Sequence, residues 1–82
     1  MSDYNGWKNR STWNVALWIQ NDENIYNGAV EFMKDNPDAK NPYKAFIISC
    51  GLSAQATPDR IHYISGQLDY EALNEMMREL MS

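Results

Sequence analysis

Trp7-Lys8-Asn9-Arg10-Ser11-Thr12-Trp13-Asn14-Val15-Ala16-Leu17-Trp18-Ile19-Gln20-Asn21-Asp22-Glu23 contains every tryptophan of the chain. Trp13, Ala16, Leu17 and Gln20 fall on one helical stripe, and Val15, Trp18 and Ile19 fall on another. A helix with this pattern is apolar around most of its circumference and needs cover on more than one side. Trp13 and Trp18 are therefore expected in the core. Asn9 or Ser11 can cap the helix by accepting from N–H groups that the first turn leaves unpaired, so helix is expected from about Ser11 to Gln20.

The rest of the chain extends the helical pattern. Asp22 is a suitable N-cap for a second helix carrying Ile25, Tyr26, Ala29, Val30, Phe32 and Met33, with a continuous helix through Asn21 to Asn24 as the alternative. Pro37 and its Asn and Asp neighbours mark a connector. Asn41 followed by Pro42 starts a third helix, with Tyr43, Phe46, Ile47 and Cys50 on one face. The pair Ile47-Ile48 leaves a strand open there. Gly51 can end this helix in a left-handed conformation, with a helix that runs on towards Ala54 or Ala56 as the alternative. Residues 57–66 can be read as helix, turn or extended chain. Asp69 caps a final helix in which Ala72, Leu73, Met76, Met77 and Leu80 recur at helical spacing, and Leu68 can staple onto Leu73. The expected fold is one small all-α domain over residues 1–82, a bundle of three or four main helices around the tryptophan-rich first one.

Composition limits the functional classes. A chain of 82 residues buries only about 60 to 65% of its unfolded surface, which leaves little free energy for a deep internal site. Seven basic and eleven acidic residues give a net charge of −4, so direct binding to a nucleic-acid backbone works against repulsion. The single cysteine precludes an intramolecular disulfide and fits a reducing, cytoplasmic setting. No apolar stretch approaches the roughly 20 residues that span a bilayer, so no membrane association is expected.

Gly6-Trp7-x-Asn9-x-x-Thr12-Trp13-Asn14-Val15-Ala16-Leu17-Trp18-Ile19-x-Asn21-Asp22-Glu23 resembles a family of small uncharacterised proteins from bacteriophages, plasmids and bacteria. Thr57-Pro58-Asp59 and the stretch from Asp69 to Leu80 share the likeness more weakly. The resemblance implies mobile-element biology, in the cytoplasm of a bacterial host, and no particular reaction. Members of that family often have an acidic residue where this chain has Ser11 and a glycine where it has Arg60. Both departures bear on caps and turns.

The candidate sites are few. Cys50 and His62 invite a nucleophile and base reading, but nothing local supplies the field that forms a thiolate. Cys50 is expected to be a buried, inert thiol and His62 an exposed or capped polar residue. One cysteine and one histidine are too few for a structural zinc site, and no metal or other cofactor is expected. Asp22, Glu23, Glu31, Asp35 and Asp38 read as a solvated face or as an acidic patch for a basic partner. Trp7, beside Lys8 and Arg10, lies outside the first helix. Met77 and Met81 cannot fully share the direction of Met76. Trp7, Met77 and Met81 are thus the possible partner contacts. The expected function is a non-enzymatic protein-interaction module, a phage or mobile-element modulator of a host protein assembly, with an unidentified protein partner or a second copy of the chain. The alternative is a nucleic-acid-associated accessory protein or an acidic nucleic-acid mimic.

Overall fold

The computed structural model describes residues 6–80, in which the chain forms α1 (Arg10–Asn21), α2 (Glu23–Asp35), α3 (Pro42–Ser49) and α4 (Tyr70–Glu79). Asn9 begins α1, its Oδ1 accepting from the Thr12 backbone N–H at 2.9 Å. Asp22 alone separates α1 from α2. Its backbone N–H donates to the Trp18 carbonyl at 2.9 Å while its carboxylate accepts from the N–H groups of Asn24 and Ile25. The same residue closes one helix and opens the next. Asp22 is therefore a cap within the expected acidic patch, whereas Glu23, Glu31, Asp35 and Asp38 face solvent.

Pro42 occupies the first turn of α3, but the Asn41 side chain forms no cap. Asn74 of α4 supplies the missing acceptor, its Oδ1 lying 3.0 Å from the Tyr43 backbone N. One helix thereby caps another. Gly51 ends α3 at φ +82°, with its N–H donating to Ile48 O and that of Leu52 donating to Ile47 O. This pair of bonds is a Schellman motif, which glycine adopts without steric penalty.

The chain then turns back on itself. Thr57 N–H donates to Ile61 O at 2.8 Å, Arg60 N–H to Thr57 O at 2.8 Å, and Tyr63 N–H to Gln55 O at 3.2 Å. An antiparallel bridge joins Ala56 and His62. Residues 57–63 thus form a tight hairpin-like turn rather than a helix. The Tyr43 hydroxyl donates to Tyr63 O and ties the segment to α3. Asp69 then caps α4 by accepting from Ala72 N–H at 3.2 Å, with Leu68 and Leu73 buried in the same core.

Every pair of helices except α1 and α3 packs together, and the described chain measures 36 × 24 × 23 Å. The core combines Val15 and Ile19 with Ala29, Met33, Tyr43, Phe46, Ile47, Tyr63, Leu73 and Met77. The expectation that Trp13 and Trp18 lie in that core is not met, since both are half-buried. The buried stripe of α1 is Thr12, Val15, Ala16 and Ile19, spaced three and four residues apart as one helix face requires. Its apolar arc is wider than the cover that α2 and α4 provide. Trp13 and Leu17 consequently form one shoulder of the helix and Trp18 the other.

Met77, expected as a contact residue, is fully buried, because α4 turns both Met76 and Met77 into the bundle. Met81 lies outside the described residues. Among the described residues, no helix is long and apolar enough to cross a membrane.

Candidate functional site

The α1 motif combines two kinds of residue, and its polar members act as clamps. Thr12 Oγ1 donates to Asn9 Oδ1 at 2.8 Å and accepts from the Asp69 backbone N–H at 2.9 Å. Asn9 Nδ2 donates to Gln67 O at 2.8 Å, and Ser11 Oγ donates to Gln67 Oε1 at 3.1 Å. These bonds fix the start of α1 against the start of α4. One turn further on, Asn14 Nδ2 donates to Asp59 Oδ2 at 2.7 Å, while Asn14 Oδ1 accepts from Thr57 Oγ1 at 2.6 Å. Trp18 Nε1 donates to the same Asp59 oxygen at 3.0 Å. Asn14 is fully buried, and burying an amide without partners would cost more than the bonds gain. Among the described residues, no buried side-chain nitrogen or oxygen lacks a partner.

The electrostatics follow from these bonds. Hydrogen bonds from Asn14 and then Trp18 hold the Asp59 carboxyl below the usual carboxylate range, against a desolvation penalty and with help from Arg10. A carboxylate so stabilised is a weak base. Thr57 Oγ1 is also committed, donating to Asn14 and accepting from Ile61 N–H. This cluster is therefore built to hold the turn at 57–60 onto α1.

The apolar shoulder of α1 has a different character. Trp7 packs against the core from the chain preceding the helix. It walls a hollow of about 340 Å³ between α1 and α4, with Gln20, Ala72, Glu75, Met76 and Glu79 as further lining. A second hollow of about 260 Å³ lies along Trp7, Trp13, Ala16, Leu17 and Gln20. Trp7 and Gln20 border both, so the two hollows adjoin across these side chains and are together termed the depression around Trp7. Its lining is mixed, with Trp7, Trp13, Ala16, Leu17, Ala72 and Met76 as the apolar part and Gln20 and Asn21 among the polar, and its α4 side carries two exposed carboxylates, Glu75 and Glu79. Lys8 and Arg10, which flank Trp7 in sequence, are exposed and line neither hollow.

The other sequence candidates fall elsewhere. Cys50 is exposed, contrary to the expected buried thiol. The stripe Tyr43, Phe46 and Ile47 is buried, but α3 ends at Ser49, and Cys50 leaves the helix before it can continue that face. Its Sγ donates to Ile47 O at 3.5 Å, and partial burial pushes the thiol pKa up. His62 is exposed in the 57–63 turn, as expected. Among the described residues, no three His, Cys, Asp or Glu side chains are grouped to hold a metal.

Of the predicted contact residues that the structure describes, Trp7 lines the depression and Met77 does not. Sequence reasoning did not single out Trp13 and Leu17 as surface residues, nor Glu75 and Glu79 as its rim. It also missed the clamp of Asn14, Thr57 and Asp59. Polar residues inside an apolar helical run are the signal for such a clamp, because burial of Thr12 and Asn14 demands partners from elsewhere.

The model of a family of unknown function (DUF7249) matches residues 1–82. No curated protein and no solved structure matches the chain.

Proposed function

Because the chain belongs to the family of unknown function DUF7249, we propose its role from its own surface: it is a non-enzymatic interaction module that binds another protein through the depression around Trp7. The observation that carries this reading is the half-buried Trp7 shared by two adjoining hollows, with Trp13 and Leu17 along the same shoulder. Tryptophan is among the residue types that most often dominate a protein–protein contact, since it brings a large apolar area at little entropic cost. The likeness of the α1 motif to phage and plasmid proteins supports a host protein assembly in the bacterial cytoplasm as the target.

The test replaces Trp7 and Leu17 with serine, checks the fold by circular dichroism, and captures partners from bacterial lysate with the native and variant proteins. Loss of specific partners by a folded variant is the expected result. Retention of every partner removes the reading. Sedimentation of the purified protein distinguishes a second copy of the chain as the partner. Turnover of a substrate by the purified protein alone would overturn the non-enzymatic class. The exposed Lys8 and Arg10 beside Trp7 favour nucleic acid as the second reading. Titration of tryptophan fluorescence with single-stranded DNA at two salt concentrations tests it.

A further inference from the structure

The rim of the depression defines the chemistry of what fills it. Glu71, Glu75 and Glu79 recur every fourth residue along α4 and are all exposed, so they form a stripe of like charge on one side of the helix. Such spacing weakens an isolated helix. Glu71 is compensated by its place in the first turn, at the positive end of the helix dipole. Glu79 has no such compensation, because it occupies the last turn, where the dipole disfavours an acid. Arg78 is the one basic residue of α4, and its guanidinium donates to Lys40 O at 3.1 Å instead of turning to the stripe. The helix thus carries Glu75 and Glu79 beside a hollow whose apolar lining is Trp7, Ala72 and Met76, although their spacing does not favour the helix itself.

These carboxylates line the hollow of about 340 Å³ together with Trp7, Ala72 and Met76, and among the described residues no basic side chain joins them in its lining. Glu75 and Glu79 are separated by about 6 Å along the helix axis, one turn. Resting on the reading that Trp7 marks a protein contact, we propose that the occupant of this hollow is a basic amphipathic segment of a protein partner. It seats an apolar side chain between Trp7 and Met76 and places lysine or arginine heads, one helical turn apart, on Glu75 and Glu79. An anionic ligand is repelled by the same rim.

Two synthetic peptides test this directly. Both are amphipathic helices with leucines on one face; one carries lysines four residues apart beside that face, and the other carries glutamates there. Binding to the full chain is followed by calorimetry at low and moderate salt. The lysine peptide should bind, with affinity falling as salt rises, and the glutamate peptide should not. The double variant Glu75→Gln with Glu79→Gln, whose changes are on solvent-exposed positions, should bind the lysine peptide roughly two- to tenfold more weakly and lose most of the salt dependence.

Equal binding of both peptides, binding of neither, or an unaffected double variant each overturns the proposal. The lysate capture separates its failure from that of the broader reading. Partners lost with Trp7→Ser but kept by the double glutamine variant leave the Trp7 contact standing and remove only the basic partner. Partners kept by both variants remove the contact as well.

Discussion

The Asp59 carboxylate lies 2.7 Å from Asn14 Nδ2, joining the tip of the 57–60 turn to the middle of α1 across 45 residues of sequence. Trp18 Nε1 reaches the same oxygen. The half-buried indole is therefore oriented by a bond at its edge, with core packing in a lesser role. Together with the bond from Thr57 Oγ1 to Asn14 Oδ1, this carboxylate makes the conformation of the turn depend on a helix about half the chain away.

That dependence should appear in the pH profile. Bonds from Asn14 and Trp18 lower the folded-state pKa of Asp59, so its contribution to stability is present above the ordinary aspartate value. The contribution is lost as pH falls below that value and through the depressed folded pKa. In denaturant titrations across acidic pH, native protein should lose stability in this window more steeply than Asp59→Asn. Parallel profiles for the two proteins would show that Asp59 carries no such linkage.

Arg60 has φ +69°, the left-handed conformation that side chains other than glycine adopt at a cost of about 1 kcal/mol or more. It follows Pro58 and Asp59 at the position of the turn where glycine is favoured. Arg60→Gly should therefore raise stability by roughly 0.5 to 1 kcal/mol, seen as a higher denaturant midpoint with an unchanged slope. A lower midpoint would contradict the strain at this position.

How far the fold could be read depended on whether local chemistry decided the structure. Asp22 and Asp69 act as the caps they resemble, and Gly51 ends α3 through a local left-handed turn. The break between α1 and α2 follows from the same logic. Trp13 and Trp18 were misplaced because hydrophobic periodicity identifies which faces are apolar, not how many neighbours a small domain can bring to cover them. The clamp of Asn14 on Asp59 pairs residues too far apart for any spacing rule. Within the candidate site, Trp7 was legible from its position outside the helix. Glu75 and Glu79 were not, because an exposed glutamate on a helix looks the same whether it borders solvent or a hollow.

Cys50 should react in the native protein. It is exposed at the end of α3, yet its thiol pKa is raised by partial burial, and the thiolate is the reacting species. A thiol-reactive dye should label the folded chain to completion at a rate that is slower than in denaturant at neutral pH and rises into alkaline pH. Labelling only after unfolding would place the thiol inside the core.

Met77 gives the sharpest distinction between core and contact surface on α4. It is fully buried beside Met76 and Leu73 in the sequence stretch that the bundle covers. Truncation removes a long apolar side chain and leaves a cavity that surrounding helices only partly fill. Met77→Ala should thus cost roughly 2 to 5 kcal/mol. Met77→Leu nearly conserves volume and should cost less than about 1.5 kcal/mol. Glu75→Gln, on the exposed side of the same helix, should change stability by no more than about 0.5 kcal/mol. Urea denaturation of the three variants orders them. A loss below about 1 kcal/mol for Met77→Ala would mean that the side chain is not held in the core, and would return it to the surface available to a partner.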